Sequence, residues 1–585
     1  MNTSRFRAVL CLFGTAAILL TGCSGNGYGS SISGVGAISV TITSPASSPT
    51  ITQGQSVTNI TASVANDSAN AGVTWSLSGQ GTLSDQTTTT VTYNAPALVT
   101  TSFTATITAT SVSYGPATAT LTINVTAGSN DGEANGQYAF LVNGFDDATA
   151  EQFAYVGSLT FNGSGEITTG VEDANLPSGV LENVAVGGMY SIGTDNRGTA
   201  TVTGGGLSTT FAFSVGSISN GVASQISIIE FDDPTTGRRG SGTAYLQNST
   251  AFSVSSINGP YALQLIGQNA NVGSRAVVIG AFTATGATGN ISGTADFNND
   301  GAVSTGNSFT GSLASSTATT TSGRVTLSIL GTSQVAYIVS ANQLLGMSTT
   351  DVSTQGLASG QILQQSTASF ISNSLNGATI QYDAGIGSVA GDGCAEVGSV
   401  MFNSTTGQAS FSLDTNDSGT GGTLSGAFTY SVSANGHVNV NGTTSDLPDF
   451  WLISANEAFV MGTGAFVNAG LLQPQATGPF SVASISGNYA VGMAEPQAVT
   501  GGNVTSGVAN SSGNGTLNVT LDISTASGQL QSAQAQSLTL SIAAGDAAIG
   551  RFTDTSNGIG YIITPSQFVR IDSTAASPRV LIFAP

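Results

Sequence analysis

Residues 252–262 read Phe-Ser-Val-Ser-Ser-Ile-Asn-Gly-Pro-Tyr-Ala, and residues 480–490 read Phe-Ser-Val-Ala-Ser-Ile-Ser-Gly-Asn-Tyr-Ala, with eight of eleven positions identical. Weaker copies of this phrase occupy residues 370–377 and 135–139. The four copies share a glycine, and successive glycines are 123, 118 and 110 residues apart: Gly136, Gly259, Gly377 and Gly487. That period is the size of a domain and too long for a solenoid repeat, so it predicts four tandem modules.

A second pattern recurs inside each module, in which a strand that opens on glycine is followed by an aspartate. The spacing is sixteen residues in three modules and fifteen in the last, in the pairs Gly157 and Asp173, Gly280 and Asp296, Gly398 and Asp414, and Gly507 and Asp522. The last three modules also share a strand and turn phrase that begins at Tyr337, Trp451 and Tyr561. Since Trp451 occupies a slot that elsewhere holds tyrosine, we interpret it as a packing residue.

The turns inside each module connect short strands as consecutive hairpins. Counting them gives about eight strands per module, and short connections such as Asn435-Gly436 indicate an up-and-down meander. Eight antiparallel strands in that order can close into a barrel or fold into a sandwich. We favour the barrel because hairpins fit the loop lengths better than long crossings do. The predicted fold class is therefore all-β, with four antiparallel meander modules in tandem.

Residues 37–127 form a separate block of short alternating runs. It contains Val73-Thr-Trp-Ser-Leu77, then Tyr93-Asn-Ala-Pro96, and it closes on a strand over residues 119–125, where apolar and polar residues alternate. Runs with a period of two and turn residues between them indicate a β-sandwich. These motifs resemble the bacterial Ig-like domain family, whose members serve mostly as spacers or adhesive modules. The resemblance implies that Trp75 is a core anchor, and it supplies no catalytic residue.

The first 23 residues have the pattern of a targeting segment, with Arg5 and Arg7 before an apolar stretch over residues 8–20. The alternatives are an ordinary secretory signal and a lone membrane helix, but this stretch is too short to span the ~30 Å of hydrocarbon. Leu20-Thr-Gly-Cys23 resembles the bacterial lipobox. That resemblance implies cleavage before Cys23, acylation of Cys23 and, from Ser24, sorting to the outer membrane.

The predicted domains follow from these features. They are a signal peptide (1–23), a Gly/Ser tether (24–36), an Ig-like sandwich (37–127), a linker (128–134) and four β-modules (135–257, 258–375, 376–485 and 486–585). Once Cys23 is acylated, Cys394 has no partner, so no intrachain disulfide is expected and we interpret Cys394 as a small, inert residue.

The composition excludes several kinds of partner and reaction. The ten basic residues are all arginine against 31 acidic ones, giving a net charge of -21 that disfavours nucleic acid and anionic membranes as partners. Without lysine there is no phosphate-binding Gly-Lys-Ser/Thr loop, and with one histidine there is no His-Glu-x-x-His zinc helix. That histidine, His437, follows a turn at the position where other modules carry Arg197 or Arg324, so we expect it to be exposed rather than to act as a base.

Carboxylates are the abundant reactive groups, and the first module holds the pairs Glu172-Asp173 and Asp232-Asp233. Two acids can serve a glycoside hydrolase. Neighbours in a strand point to opposite faces, so neither adjacent pair can face one substrate unless a turn rotates it, whereas Glu230 and Asp232 would share a face. Since this stretch offers a single aromatic residue as a sugar platform, we interpret the acids as solvated hairpin ends.

One stretch of the second module has the oxygen spacing of a calcium loop. Asp296, Asn298 and Asp300 stand at positions 1, 3 and 5, and a glycine stands at position 6. Position 12 is Asn307 instead of a bidentate carboxylate, and the flanks read as strands rather than helices. We therefore favour a hairpin turn capped by the Asp and Asn side chains, with a calcium site as the alternative.

These features favour a non-enzymatic cell-surface lipoprotein, anchored through Cys23, that projects tandem β-modules for adhesion, ligand binding or envelope structure. The alternative is a carrier of small apolar molecules in β-barrel cavities, and a carboxylate-based glycoside hydrolase is less favoured. We predict no catalytic residue and no cofactor, and a calcium ion at Asp296, Asn298 and Asp300 is the less favoured alternative. The membrane is the expected partner through the lipid anchor, and the sequence leaves a protein, glycan or small-molecule ligand open.

Overall fold

Forty β-strands and a few single helical turns make up the part of the chain that the structure describes. The computed structural model describes residues 36–585 except 54–55, 97–98, 100–101, 128–129, 150, 233–236, 270–273, 351–355, 387–392, 443–446, 495–501, 526–529 and 577. Cys23, the rest of the signal peptide and nearly all of the tether lie outside the described residues, as does Asp233. Across the described ranges, no helix has the length and apolar character that a membrane crossing requires.

Two four-stranded sheets precede the modules. Their strands are β1 (Ser39–Ser44), β2 (Thr50–Thr52), β3 (Ser56–Ala65), β4 (Val73–Ser78), β5 (Thr82–Ser84), β6 (Thr90–Asn94), β7 (Phe103–Ser111) and β8 (Thr118–Thr126). One sheet has the order β1-β3-β6-β5 and the other β2-β8-β7-β4. Both contribute alternate residues to one core, in which the Trp75 indole N–H donates to the Thr87 carbonyl at 2.9 Å. The Ig-like identity of this sandwich stays a prediction.

Each module is an eight-stranded barrel. Barrel 1 comprises β9 (Asn135–Asp146), β10 (Gln152–Asn162), β11 (Glu166–Leu176), β12 (Gly179–Ile192), β13 (Arg197–Gly204), β14 (Leu207–Ser219), β15 (Val222–Glu230) and β16 (Arg238–Leu246). Barrel 2 comprises β17 (Gly259–Gln268), β18 (Arg275–Thr285), β19 (Asn290–Asn299), β20 (Ala302–Ser315), β21 (Arg324–Ile329), β22 (Thr332–Ser340), β23 (Gln343–Ser348) and β24 (Leu357–Gln364).

The last two barrels repeat this arrangement. Barrel 3 comprises β25 (Gly377–Ile386), β26 (Gly393–Asn403), β27 (Gln408–Asp417), β28 (Thr420–Val432), β29 (His437–Asn441), β30 (Asp449–Ser454), β31 (Glu457–Met461) and β32 (Val467–Pro474). Barrel 4 comprises β33 (Ser486–Met493), β34 (Val504–Ser512), β35 (Thr516–Ser524), β36 (Leu530–Ser541), β37 (Arg551–Asp554), β38 (Gly558–Thr564), β39 (Gln567–Asp572) and β40 (Val580–Ala584).

In all four modules each strand pairs with the next, and the last strand pairs with the first. This up-and-down order confirms the barrel and excludes a sandwich for the modules. The described helical turns are short: the α-helix α1 (Thr319–Ser322) and the 3-10 turns Asp131–Glu133, Ser249–Ala251, Val254–Ser256, Ser372–Ser374 and Val482–Ser484.

The recurrent phrase closes one end of a barrel. In its best copies, a buried phenylalanine and a buried isoleucine flank a 3-10 turn, and both side chains pack with the core inside the barrel: Phe252 and Ile257 in barrel 2, Phe480 and Ile485 in barrel 4. The phrase glycine follows with positive φ, +104° at Gly259 and +124° at Gly487. Glycine adopts that conformation at little cost, so the chain can turn from the 3-10 segment that closes the barrel into the first strand.

The barrels pack side by side through their outer faces. Three apolar clusters join barrel 1 to 2, barrel 2 to 3 and barrel 3 to 4, and a smaller one joins barrel 4 back to barrel 1. The four barrels therefore form a closed ring. Strands at these contacts are buried on both faces, one in the lumen and one against the neighbour, as the pattern of β10 illustrates.

Candidate functional site

The recurrent aspartates lie at the contacts between barrels, each on the third strand of its barrel. We call each such contact a joint and name it by its two barrels. At joint 1–2, Asp173 accepts hydrogen bonds from Arg324 of barrel 2, through Nε at 2.8 Å and Nη2 at 2.6 Å. The Tyr337 hydroxyl donates to the same carboxylate at 2.6 Å. Arg324 and Tyr337 are cross-strand partners on β21 and β22, so one pair of strands presents both donors.

Joint 3–4 repeats this geometry. Asp414 accepts hydrogen bonds from Arg551 at 2.6 and 2.9 Å and from the Tyr561 hydroxyl at 2.7 Å. Arg551 and Tyr561 are again cross-strand partners. Burial raises the pKa of Tyr561, and the Asp414 carboxylate raises it further, so the phenol remains a donor.

Joint 4–1 closes the ring with the same aspartate and arginine. Arg197 Nη1 donates to both oxygens of Asp522, at 2.8 and 2.9 Å, and both side chains are almost fully buried. The cross-strand partner of Arg197 is Ser214, whose hydroxyl lies 3.2 Å from that of Ser506. A carboxylate and a guanidinium 325 residues apart therefore link the two ends of the repeat array.

Joint 2–3 departs from the other three because histidine replaces arginine. The Trp451 indole N–H donates to Asp296 Oδ2 at 2.6 Å. His437 Nε2 lies 3.4 Å from Asp296 Oδ2 and 3.1 Å from Asp449 Oδ1, and its ring stacks on Trp451 with 4.9 Å between centroids. The histidine side chain is only 21% exposed, so the expectation of an exposed turn residue is wrong.

The residues proposed for calcium serve different parts of joint 2–3. Asp296 faces barrel 3, as described above. The Asn298 amide donates to the carbonyls of Gly462 and Gly464 at 2.7 and 3.2 Å, and its oxygen accepts from the Gly301 N–H at 2.9 Å. Asp300 stands on the hairpin turn with φ of +54°. Asn298 thus caps the turn, as the favoured interpretation expected, and the alternative of a calcium site stays untested.

Among the described residues, the buried acids of barrel 1 lie in a tightly packed lumen. Glu172 and Glu230 are both buried in the lumen, and Asp173 is buried against barrel 2, so the interpretation of these acids as solvated hairpin ends is wrong. Burial raises the pKa of Glu172 to about 7, and burial together with Asp232 raises that of Glu230 well above its ordinary value. The apolar part of this lumen leaves a cavity of only about 30 Å³, the space of one water. This packing gives a two-acid glycoside hydrolase no support.

The lumen of barrel 3 is far more open. It holds a cavity of about 650 Å³, within the range of sites that bind small organic molecules. Its walls are apolar side chains, chiefly Phe411, Leu413, Leu424, Phe428, Leu447 and Phe466. Leu424 is 47% exposed, so the cavity reaches solvent on that side.

Two carboxylates of the described residues lie in this cavity. Asp383 and Glu396 are cross-strand partners on β25 and β26. Asp383 accepts hydrogen bonds from the side-chain amides of Gln381 at 2.7 Å and Asn468 at 2.9 Å. Within the described ranges, neither carboxylate has a cationic side chain at ion-pair distance. Burial raises the pKa of both, and the Asp383 charge raises that of Glu396 further, so the two are not readily ionised together.

A smaller cavity of about 180 Å³ lies at the centre of the ring, lined by residues from all four barrels. Tyr245 of barrel 1 and Tyr382 of barrel 3 contribute phenol groups to its lining. Burial raises the pKa of both phenols, so they are neutral at physiological pH. This shared lining shows that the four barrels surround one central axis.

No protein-family model and no curated protein matches the chain. Solved structures that match include a protein of unknown function from Nostoc punctiforme, assigned to the DUF3598 family, with 12% identity over 38% of this chain and 97% of that one and a TM-score of 0.14. Two mutants of the vaccine antigen transferrin binding protein B from Haemophilus parasuis also match. The single mutant has 10% identity over 57% of this chain and 75% of its own, with a TM-score of 0.16. The double mutant has 9% identity over 74% and 93%, with a TM-score of 0.16.

Proposed function

We propose that the protein is a non-enzymatic, lipid-anchored envelope protein that binds a small molecule in the lumen of barrel 3. The ligand we infer has an apolar body and a cationic amine. The carboxylate pair Asp383 and Glu396, uncompensated within the described residues and placed in a 650 Å³ cavity, carries this proposal.

The argument starts from the cost of that pair. A buried carboxylate loses hydration worth several kcal/mol, and a neighbouring carboxylate adds repulsion. Apolar residues at these two positions would avoid both costs. Perturbed acids in a cavity are candidates for a functional site for this reason. An ammonium group beside them would remove both costs at once.

The apolar walls determine the remainder of the ligand. Phe411 and Phe428 offer aromatic surface, and leucines complete the wall. A molecule that buries apolar surface there gains roughly 25 cal/mol per Å². The cavity is therefore suited to an amphipathic amine. This ligand differs from the purely apolar molecules that the carrier hypothesis assumed.

The anchor and location rest on the sequence alone. Cys23 and the lipobox-like residues before it support attachment to the outer membrane. The closed ring supports a rigid body held off the membrane rather than four modules that move independently.

Two dyes that share a fluorophore test the binding site. We expect dansylcadaverine, a primary amine, to bind the mature Cys23→Ala chain saturably with one site per chain, and dansylglycine, an acid, to bind far more weakly. Asp383→Asn with Glu396→Gln should abolish the preference for the amine. Asp417→Asn, which neutralises an exposed carboxylate on the same barrel, is the control and should retain it. Equal binding of both dyes, or unchanged amine binding in the double variant, would overturn the proposal.

A further inference from the structure

Two substitutions coincide at joint 2–3 and at no other joint. The cation position holds arginine at the other three, Arg197, Arg324 and Arg551, and holds His437 here. Two residues before the Trp451 position, the other barrels have apolar residues, Ala212, Val335 and Ile559, and this joint has Asp449. Histidine is shorter and carries fewer donors than arginine. At joint 2–3 a weaker cation is thus combined with a second carboxylate, Asp449, where the other joints have a hydrocarbon side chain.

The three side chains converge. His437 Nε2 lies 3.1 Å from Asp449 Oδ1 and 3.4 Å from Asp296 Oδ2, and one ligand atom from each residue lies within 4.8 Å of the others. A tetrahedral zinc ion with bonds of about 2.0–2.2 Å holds its ligand atoms about 3.3 Å apart. The two distances from His437 Nε2, 3.1 Å to Asp449 Oδ1 and 3.4 Å to Asp296 Oδ2, match that spacing.

One of these groups has an oxygen without a hydrogen-bond donor. Asp449 is 7% exposed, and its Oδ2 has no hydrogen-bond partner. Two carboxylates beside one imidazole give a net charge of −2, or −1 when the ring is protonated. A buried cluster with that charge and an unpartnered carboxylate oxygen is suited to a divalent cation.

The donor set indicates which cation. Calcium takes six to eight oxygen ligands, whereas imidazole with carboxylates suits zinc and its transition-metal neighbours. The Trp451 indole N–H donates to Asp296 Oδ2 and fixes this carboxylate, as outer hydrogen bonds do in metal sites. The 21% exposure of His437 provides a path from solvent. We propose that His437, Asp296 and Asp449 form a zinc-binding site that links barrels 2 and 3.

The test uses the mature Cys23→Ala chain freed of metal with a chelator. We expect Zn²⁺, titrated in competition with a chromophoric chelator, to bind at one site per chain, and Ca²⁺ at the same concentration not to compete. Zn²⁺ should also raise the Tm of this protein. Co²⁺ in its place should give the intense visible absorption of a tetrahedral ion.

The variant His437→Arg should fold, because it installs the cation that the other three joints use. A loss of Zn²⁺ binding in this variant can therefore be assigned to the site and not to misfolding. His437→Arg should bind Zn²⁺ at least tenfold more weakly and lose the rise in Tm, as should Asp449→Asn. Asp417→Asn should bind as the parent does. Equal Zn²⁺ affinity in the parent and His437→Arg chains would overturn the proposal, as would a parent chain that does not bind Zn²⁺.

Discussion

Replacing Asp173 by alanine should destabilise the ring by breaking joint 1–2. Asp173 is fully buried, and the Arg324 side chain is 6% exposed. The substitution leaves a buried guanidinium without its bidentate partner and the Tyr337 hydroxyl without its acceptor. Removing one partner of a buried ion pair costs about 3–5 kcal/mol, since the remaining charge stays desolvated. We expect a loss of stability in that range.

The same arginine provides a matched control. Glu182 lies 3.4 Å from Arg324 Nη2, but its side chain is 55% exposed. Exposed pairs contribute about 0–1 kcal/mol, so Glu182→Ala should change stability by no more than that. A triple variant, Asp173→Leu with Arg324→Met and Tyr337→Phe, removes the carboxylate, the guanidinium and the phenol hydroxyl together and should recover most of the loss.

The assay is urea unfolding of the mature chain followed by far-UV circular dichroism, with the stability difference taken from the shift of the transition midpoint. The reasoning is refuted if Asp173→Ala and Glu182→Ala shift the midpoint equally. It is also refuted if the triple variant is as unstable as the single one, because the unpaired charge would then not be the cause.

Three further outcomes are expected. The pKa of Glu172 is raised from 4.5 to about 7 in the folded protein, so the folded state holds a proton that the unfolded state releases, and stability should fall by about 3 kcal/mol as the pH rises from 4.5 through 7. Glu172→Gln should flatten that part of the plot of urea midpoint against pH, and an unchanged plot would contradict the assignment. Phe402 is 2% exposed and packs on Phe428, Tyr430 and Phe450, so Phe402→Ala should cost about 3–5 kcal/mol in urea unfolding, whereas Ile371→Ala, at 63% exposure, should cost about 0.5 kcal/mol or less. Cys23→Ala should release the exported chain from the membrane fraction, and a variant that still sediments with membranes after a high-pH wash would contradict the lipid anchor.

The repeated glycines predicted the modules because they have a local physical cause. At Gly280, Gly398 and Gly507, a Cβ would meet a backbone carbonyl of the next strand closer than van der Waals contact. Those positions therefore admit little but glycine, and the recurrence is visible in one sequence. The barrel followed from loop lengths for a similar reason, since short hairpins leave few topologies.

The joints could not be predicted because their partners belong to different modules. Asp173, Arg324 and Tyr337 each recur in the sequence, yet 151 residues separate the aspartate from the arginine. Nothing local indicates that the aspartate of one barrel meets the arginine of the next. The same separation hid the role of His437, whose neighbours at the joint include Asp296 from another barrel.

The barrel 3 site was not predicted from the sequence because the polar face of its strands lines the barrel lumen instead of facing solvent. On β25, Thr379, Gln381 and Asp383 alternate with Ile380, Tyr382 and Ala384. Such alternation ordinarily places the polar face in water. Here the apolar face packs on barrel 4, and the polar face lines the lumen. The apolar face of β25 points outward because the ring places barrel 4 against it.

Ring closure is the claim on which the rest depends, and one engineered disulfide tests it most directly. The hydroxyls of Ser214 and Ser506 lie 3.2 Å apart across joint 4–1, so paired cysteines should come within reach of an S–S bond of about 2.05 Å. In the Cys23→Ala chain, Ser214→Cys with Ser506→Cys should oxidise within one molecule and run faster on a non-reducing gel, reverting with reductant. Ser214→Cys with Ser431→Cys on barrel 3 is the control and should stay reduced. Failure of the first pair to form an intramolecular bond, or equal bonding in both pairs, would contradict the closed ring.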